Sequence, residues 1–237
     1  MKSQIQRYII FFAVLIANLL SAQPKLSAEL GLGMYGPKME GFDDNPDVFF
    51  PTKNIFTRNL LLNWGVYYEF FSNARLGYNS FTSYEAGKLD LQESKPAFQR
   101  SIRYRMIPLE TFFRWRPRIE LNFTLTPIWG RAKITMDTKP SDKFEDWNEL
   151  LNSFGDSDPL SELAGTDQLV NNWIGYSGMI GVRFYLSSRL GLDFKFGFMN
   201  NQYKQDEWLV QRNKVKGPAM KIDDLPIFSL RAVYGLK

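Results

Sequence analysis

The side chains of this chain that could do acid–base work are carboxylates, because the sequence contains no histidine and no cysteine. Without imidazole or thiol, the Ser-His and Cys-His nucleophile pairs are excluded, and so is the commonest general base near neutral pH. What remains is Glu110 and Glu120, which flank Arg116-Pro117, and Asp156 and Asp158 in an acidic stretch. A carboxylate pair runs acid/base chemistry only where one member is kept protonated. With arginines nearby, Glu110 and Glu120 are expected as ion-pair partners instead. Asp156 and Asp158 lack the spacing of a complete calcium loop. The residue types therefore imply no catalytic residue, no cofactor and no metal site.

The elements that carry these carboxylates alternate with a period of two. Over residues 119–129, Ile119, Leu121, Phe123, Leu125, Pro127 and Trp129 share one face, and Glu120, Asn122, Thr124 and Thr126 the other. Over residues 190–198, Leu190, Leu192, Phe194, Phe196 and Phe198 oppose Gly191, Asp193, Lys195 and Gly197. One wholly apolar face beside a charged one suits a strand between lipid and a polar lumen. The same alternation appears over residues 25–36, 59–71, 74–79, 100–115, 173–186 and 226–237, which makes eight strands. Residues 100–115 change phase: Ile102 and Tyr104 share the apolar face above, Ile107, Leu109, Phe113 and Trp115 below. An inserted residue between Met106 and Pro108 would restore the register.

Connectors of about two residues, at Ser72-Asn73, Arg116-Pro117 and Ser187-Ser188, alternate with long ones, the pattern of short periplasmic turns and long outside loops. The predicted fold is thus all-β: an eight-stranded antiparallel transmembrane barrel. Its lumen would gather Glu29, Glu69, Glu110, Glu120 and Asp193 against Arg75, Arg103, Arg105, Arg183, Lys195 and Arg231. A barrel of this size is just filled by its own side chains. Buried ions are costly unless paired, so these should interlock and close the lumen.

Residues 1–22 read as an export signal, with Lys2 and Arg7 before an apolar run too short to span a membrane as a helix. Residues 23–237 would be the barrel. The formal net charge of +4 implies no nucleic-acid role. Loop 137–172 is strongly acidic and carries Phe144, Trp147, Leu151 and Phe154 at helical spacing, ahead of Gly155. Asp142 and Glu145 stand in a capping-box arrangement, and a second helical turn could run from Asp158 and Pro159 to Gly165. The apolar stripe fits two readings, packing on the barrel rim or anchoring a partner protein or glycan. Phe42, Phe49, Phe50 and Phe56 in the first loop fit the same two. Basic residues 204, 212, 214, 216 and 221 could meet lipopolysaccharide phosphates or the acidic loop.

Three segments carry a resemblance: residues 28–33 (AELGLG), residues 100–105 (RSIRYR) ahead of Ile107-Pro108-Leu109-Glu110, and residues 181–187 (GVRFYLS). With the alternation around them, the chain resembles the small eight-stranded OmpA-like outer-membrane barrels, and among these the PorT and PorG proteins of type IX secretion. The resemblance implies an outer-membrane protein, and the absence of histidine leads to the expectation that it is not an enzyme. Its partners would be outer-membrane lipids and envelope or secretion-system proteins, and its role structural or interactive. An exported soluble barrel or sandwich that binds a small ligand or glycan, with Phe194, Phe196 and Phe198 lining its core, is the competing expectation.

Overall fold

The computed structural model describes residues 25–36, 38–39, 48–49, 60–89, 91, 95–139, 142–158, 160, 163, 168–222 and 225–236. The export signal, Phe42, Phe50, Phe56, Pro159 and Gly165 lie outside these, and Asp158 lies in a bend.

Eight antiparallel strands close on themselves. They are β1 (Lys25–Met34), β2 (Leu60–Phe71), β3 (Ala74–Leu89), β4 (Ala97–Met106, continued by Leu109–Arg116), β5 (Ile119–Asp137), β6 (Gln168–Tyr185), β7 (Leu190–Asn201) and β8 (Leu225–Leu236). Each pairs with its neighbours in sequence, and β1 pairs with β8, Leu30 opposite Ala232, so the eight strands close into a barrel. Three two- to four-residue turns define one end of the barrel; the helix α1 (Lys143–Ser153) and the longer connections define the other. A short hairpin, Trp208–Val210 with Asn213–Val215, continues the sheet beyond β7 by pairing Leu209 with Val170.

The side chains that point out are the apolar ones of the predicted faces. Leu30, Leu62, Phe113, Phe123, Ile180, Phe194 and Phe198 are all exposed, Leu30 at 71% and Phe194 at 51%. A water-soluble chain would bury such a set, because each side chain forfeits about 1.5–3 kcal/mol by staying wet. Phe194 and Phe198 thus do not line a soluble core, which removes the ligand-binding sandwich expectation.

On β5 the outward residues are apolar from Ile119 through Trp129 and then become Arg131, Lys133, Thr135 and Asp137. The inward residues invert in the opposite sense, from Glu120, Asn122, Thr124 and Thr126 to Ala132, Ile134 and Met136, which are buried. Ten steps at about 3.4 Å, tilted roughly 40°, make a belt roughly 26 Å tall, the height expected of an apolar barrel band. Beyond it the outside is aqueous, and the interior becomes an ordinary apolar core.

The same inversion accounts for β4, and here the sequence expectation needs correction. Met106 and Pro108 are both buried and Ile107 and Leu109 both outward, so the alternation runs through without an inserted residue. Pro108 interrupts the ladder but leaves the parity intact. Arg103 and Arg105 therefore point outward and exposed, while Ile102, Tyr104 and Met106 point inward. The expectation failed because it took every apolar face as lipid-facing; above the belt the rule reverses.

Two glycines let inward aromatic rings cross neighbouring strands. A Cβ on Gly77 would sit 2.6 Å from the Tyr67 ring, and one on Gly130 2.2 Å from the Trp173 ring. Trp173 itself is fixed by donating from Nε1 to Asn201 Oδ1 at 2.9 Å. Gly130→Ala should therefore displace the Trp173 indole at a cost of about 1–3 kcal/mol, read as a lower urea midpoint with a changed tryptophan emission. An unchanged midpoint would mean the ring does not lie over Gly130.

Candidate functional site

The charged residues of the predicted lumen meet in the short-turn half of the barrel because each has inward parity on its strand. Glu29 comes from β1, Arg75 from β3, Glu110 from β4, Glu120 from β5, Arg183 from β6, Asp193 and Lys195 from β7 and Arg231 from β8. Four acids face four bases, and all eight are buried. With Arg103 and Arg105 outward and Glu69 at the mouth of the barrel, the five acids and six bases expected from the sequence reduce to four of each.

Arg183 is the hub. Its Nη2 donates to Glu29 Oε1 at 2.5 Å and Asp193 Oδ2 at 2.7 Å, and lies 3.6 Å from Glu110 Oε1. Arg231 donates from Nη1 to the other Glu29 oxygen at 2.8 Å and to Tyr67 Oη at 3.0 Å. Arg75 bridges the two candidate acid/base residues, with Nε 2.5 Å from Glu110 Oε1 and Nη2 on Glu120 Oε1. Its guanidinium also lies 4.2 Å from the Phe112 ring centroid. Lys195 is paired with Glu110 and lies 3.6 Å from Asp193. Neutral groups take up remaining lone pairs: Thr124 Oγ1 donates to Glu110 at 3.0 Å, Tyr185 Oη to Glu120 at 3.1 Å and Asn122 Nδ2 to Asp193 at 3.1 Å.

Such a network suits closure better than catalysis. Glu110 and Glu120 both pair with Arg75, so neither stands free as a proton donor or acceptor. Glu69, also inward, sits at the short-turn mouth, where Arg114 Nη2 lies 3.9 Å from it while Arg114 Nε lies 3.7 Å from Glu120. Arg114 belongs to this cluster although its place beside a turn hid it in the sequence. Its even number on β4, shared with Glu110 and Phe112, was the available signal. Further up, buried Arg100 pairs with Glu85, a second inward ion pair not foreseen.

The long-loop half of the lumen is filled by apolar and aromatic groups. Edge-to-face contacts link Tyr35 to Tyr104 (5.7 Å), Tyr104 to Trp173 (6.0 Å) and Trp173 to Tyr203 (5.8 Å). Trp208 donates from Nε1 to Tyr203 Oη at 2.7 Å, and burial pushes the Tyr203 phenol up to about 12, so it stays a donor to Pro218 O.

Helix α1 belongs to the same core. Trp147, Leu151 and Phe154 are buried, Trp147 completely, and Leu150 joins them. These three therefore do not form a partner-contact patch. The helical stripe covers the apolar upper lumen, and Phe144, 39% exposed, is the one member of the predicted set left outside. Gly155 ends the helix with φ 79°, a conformation glycine adopts without steric cost. The predicted capping box does not form: Asp142 is in helical geometry and makes no side-chain capping hydrogen bond. Asp156 is used locally, accepting from the backbone amides of Asp158 (3.0 Å) and Lys216 (2.9 Å). No group of three or more potential metal ligands occurs among the described residues.

No family model and no curated protein matches the chain. Solved structures do. The outer membrane protein OprG from Pseudomonas aeruginosa is 10% identical and superposes with a TM-score of 0.50, over 90% of this chain and 95% of that one. Ail of Yersinia pestis, in complex with the heparin analogue sucrose octasulfate, is 13% identical with a TM-score of 0.46, over 91% and 100%. The outer membrane protease OmpT of Escherichia coli is 9% identical with a TM-score of 0.43, over 90% and 97%. At these identities the likeness to OprG speaks to fold, an eight-stranded closed antiparallel barrel of the outer-membrane kind.

Proposed function

We propose that this chain, exported by its first 22 residues, is an integral outer-membrane barrel with a closed lumen that acts as a structural or interaction component of the envelope. The observation that carries this reading is the paired inversion of polarity: an exposed apolar belt around an ion-paired interior, with the opposite arrangement above the belt. Hydrocarbon is the medium in which that exterior costs nothing, and burial without water is what requires the interior charges to balance.

Planar-bilayer recordings test closure. The purified barrel should give no steady open-channel conductance, because Arg183 and Arg231 bridge Glu29 across the lumen. A stable ohmic current from the wild-type protein would contradict it.

An enzymatic role has little support, since Glu110 and Glu120 are committed to Arg75 and the chain has no histidine. Membership of a secretion assembly of the type IX kind rests on the segments 28–33, 100–110 and 181–187. Crosslinking in the native envelope tests it: a recurrent partner is expected through Phe144 on the outside or Arg116 and Arg189 at the short turns. Recovery of lipid adducts alone would leave the barrel without an assembly role.

A further inference from the structure

The outward face of the barrel just above its apolar belt holds a set of cations that the fold gives no reason to place together. Arg103 on β4 stands directly opposite Arg131 on β5, and one row lower Arg105 stands opposite Trp129. Lys133 follows Arg131 on the same face of β5. Like charges directly opposite on adjacent strands, about 5 Å apart, destabilise a sheet. Arg103, Arg105, Arg131 and Lys133 form no ion pair among the described residues, whereas every lumen cation has a carboxylate. Among the described residues these four cations thus stand without an ion pair, and the one carboxylate lining the groove, Glu207, pairs with Lys204 at 3.1 Å instead.

The patch is also concave. An open groove of about 890 Å³ runs over these side chains, floored by Trp129 and flanked by the amide of Asn172, which pairs with Arg131 across to β6. Its lower edge is the last lipid-facing row and its upper edge is water-facing, which puts it at headgroup depth.

We propose that this groove binds the phosphorylated sugar headgroup of an outer-leaflet glycolipid. Its phosphates would lie between Arg103, Arg105, Arg131 and Lys133, and its acyl chains would run down over Trp129 and Ile174. Guanidinium groups donate bidentately to phosphate oxygens, and a doubly phosphorylated headgroup supplies enough charge to neutralise the facing arginines. A free anion would satisfy the charge but not the apolar floor continuous with the belt. The proposal rests on the outer-membrane reading above.

The test uses the full chain refolded into phosphatidylcholine vesicles that carry either bisphosphorylated lipid A or the same lipid dephosphorylated. Lipid retained with the protein is measured across a salt series. The wild-type protein should retain the phosphorylated lipid preferentially, with affinity falling as salt rises. Arg103→Gln/Arg131→Gln should weaken retention about thirtyfold, and Arg103→Lys/Arg131→Lys should recover most of it. Should the glutamine variant fail to insert, the wild-type preference and its salt dependence decide the matter on their own. Equal retention of both lipids, or a salt-independent affinity, overturns the site while leaving the barrel intact. Displacement by inorganic phosphate at equal concentration overturns the lipid assignment in favour of a free-anion site. Failure of the wild-type chain to insert into any vesicle overturns both readings, and is seen as full protease sensitivity before any lipid is scored.

Discussion

Arg183→Met should be the most damaging single change in the lumen, lowering stability in bilayers by about 3–5 kcal/mol. The guanidinium is 1% exposed and lies within 2.7 Å of both Glu29 and Asp193. Methionine fills much of the same space, so the loss would come from leaving carboxylates buried together without their cation. That origin makes a second result predictable. Arg183→Met/Asp193→Leu removes one charge of each sign and should be more stable than Arg183→Met alone, although two native contacts are then gone. Urea-dependent unfolding in vesicles measures both variants. A loss below about 1 kcal/mol for the single variant would indicate a hydrated lumen in which these charges need no partners.

Phe194→Arg should cost about 2–4 kcal/mol in the same measurement, since Phe194 lies near the middle of the outward run from Leu190 to Phe198. The neighbouring inward residue, Lys195, is fully buried and already charged. One step along a single strand therefore separates a position where a cation is required from one where it is excluded. Phe194→Leu, which keeps the face apolar, should cost less than about 1.5 kcal/mol. Equal effects from arginine and leucine would mean that Phe194 does not face hydrocarbon.

The strands and the parity of nearly every lumen residue were legible in the sequence, because a period of two is a local property that survives any tertiary arrangement. What alternation does not carry is the identity of the medium on each side. Arg103 and Arg105 were misplaced for that reason. The residues to consult were on β5, where Arg131 and Lys133 continue the lipid-facing parity of Trp129 with reversed polarity. Read together, the two strands mark one boundary between hydrocarbon and water, and no inserted residue is needed. Trp147, Leu151 and Phe154 pose a related problem. An amphipathic stripe announces that it will be covered but not by what, and here the barrel's own upper lumen covers it. Arg114 was left out of the lumen set because it stands beside a turn, and Arg100 because it shares the parity of Ile102 and Tyr104, the face taken as lipid-facing.

The most direct test of the account is a scan of single cysteine spin labels along β5 from position 119 to 135 in bilayers, comparing collision with oxygen, which partitions into lipid, and with a water-soluble nickel chelate. The account predicts that odd positions from 121 to 129 collide with oxygen, that 131 and 133 switch abruptly to the nickel chelate, and that even positions collide with neither. Nickel accessibility at 120, 122, 124 and 126 would show an open aqueous lumen, and the absence of a switch between 129 and 131 would show that no membrane boundary crosses the barrel there.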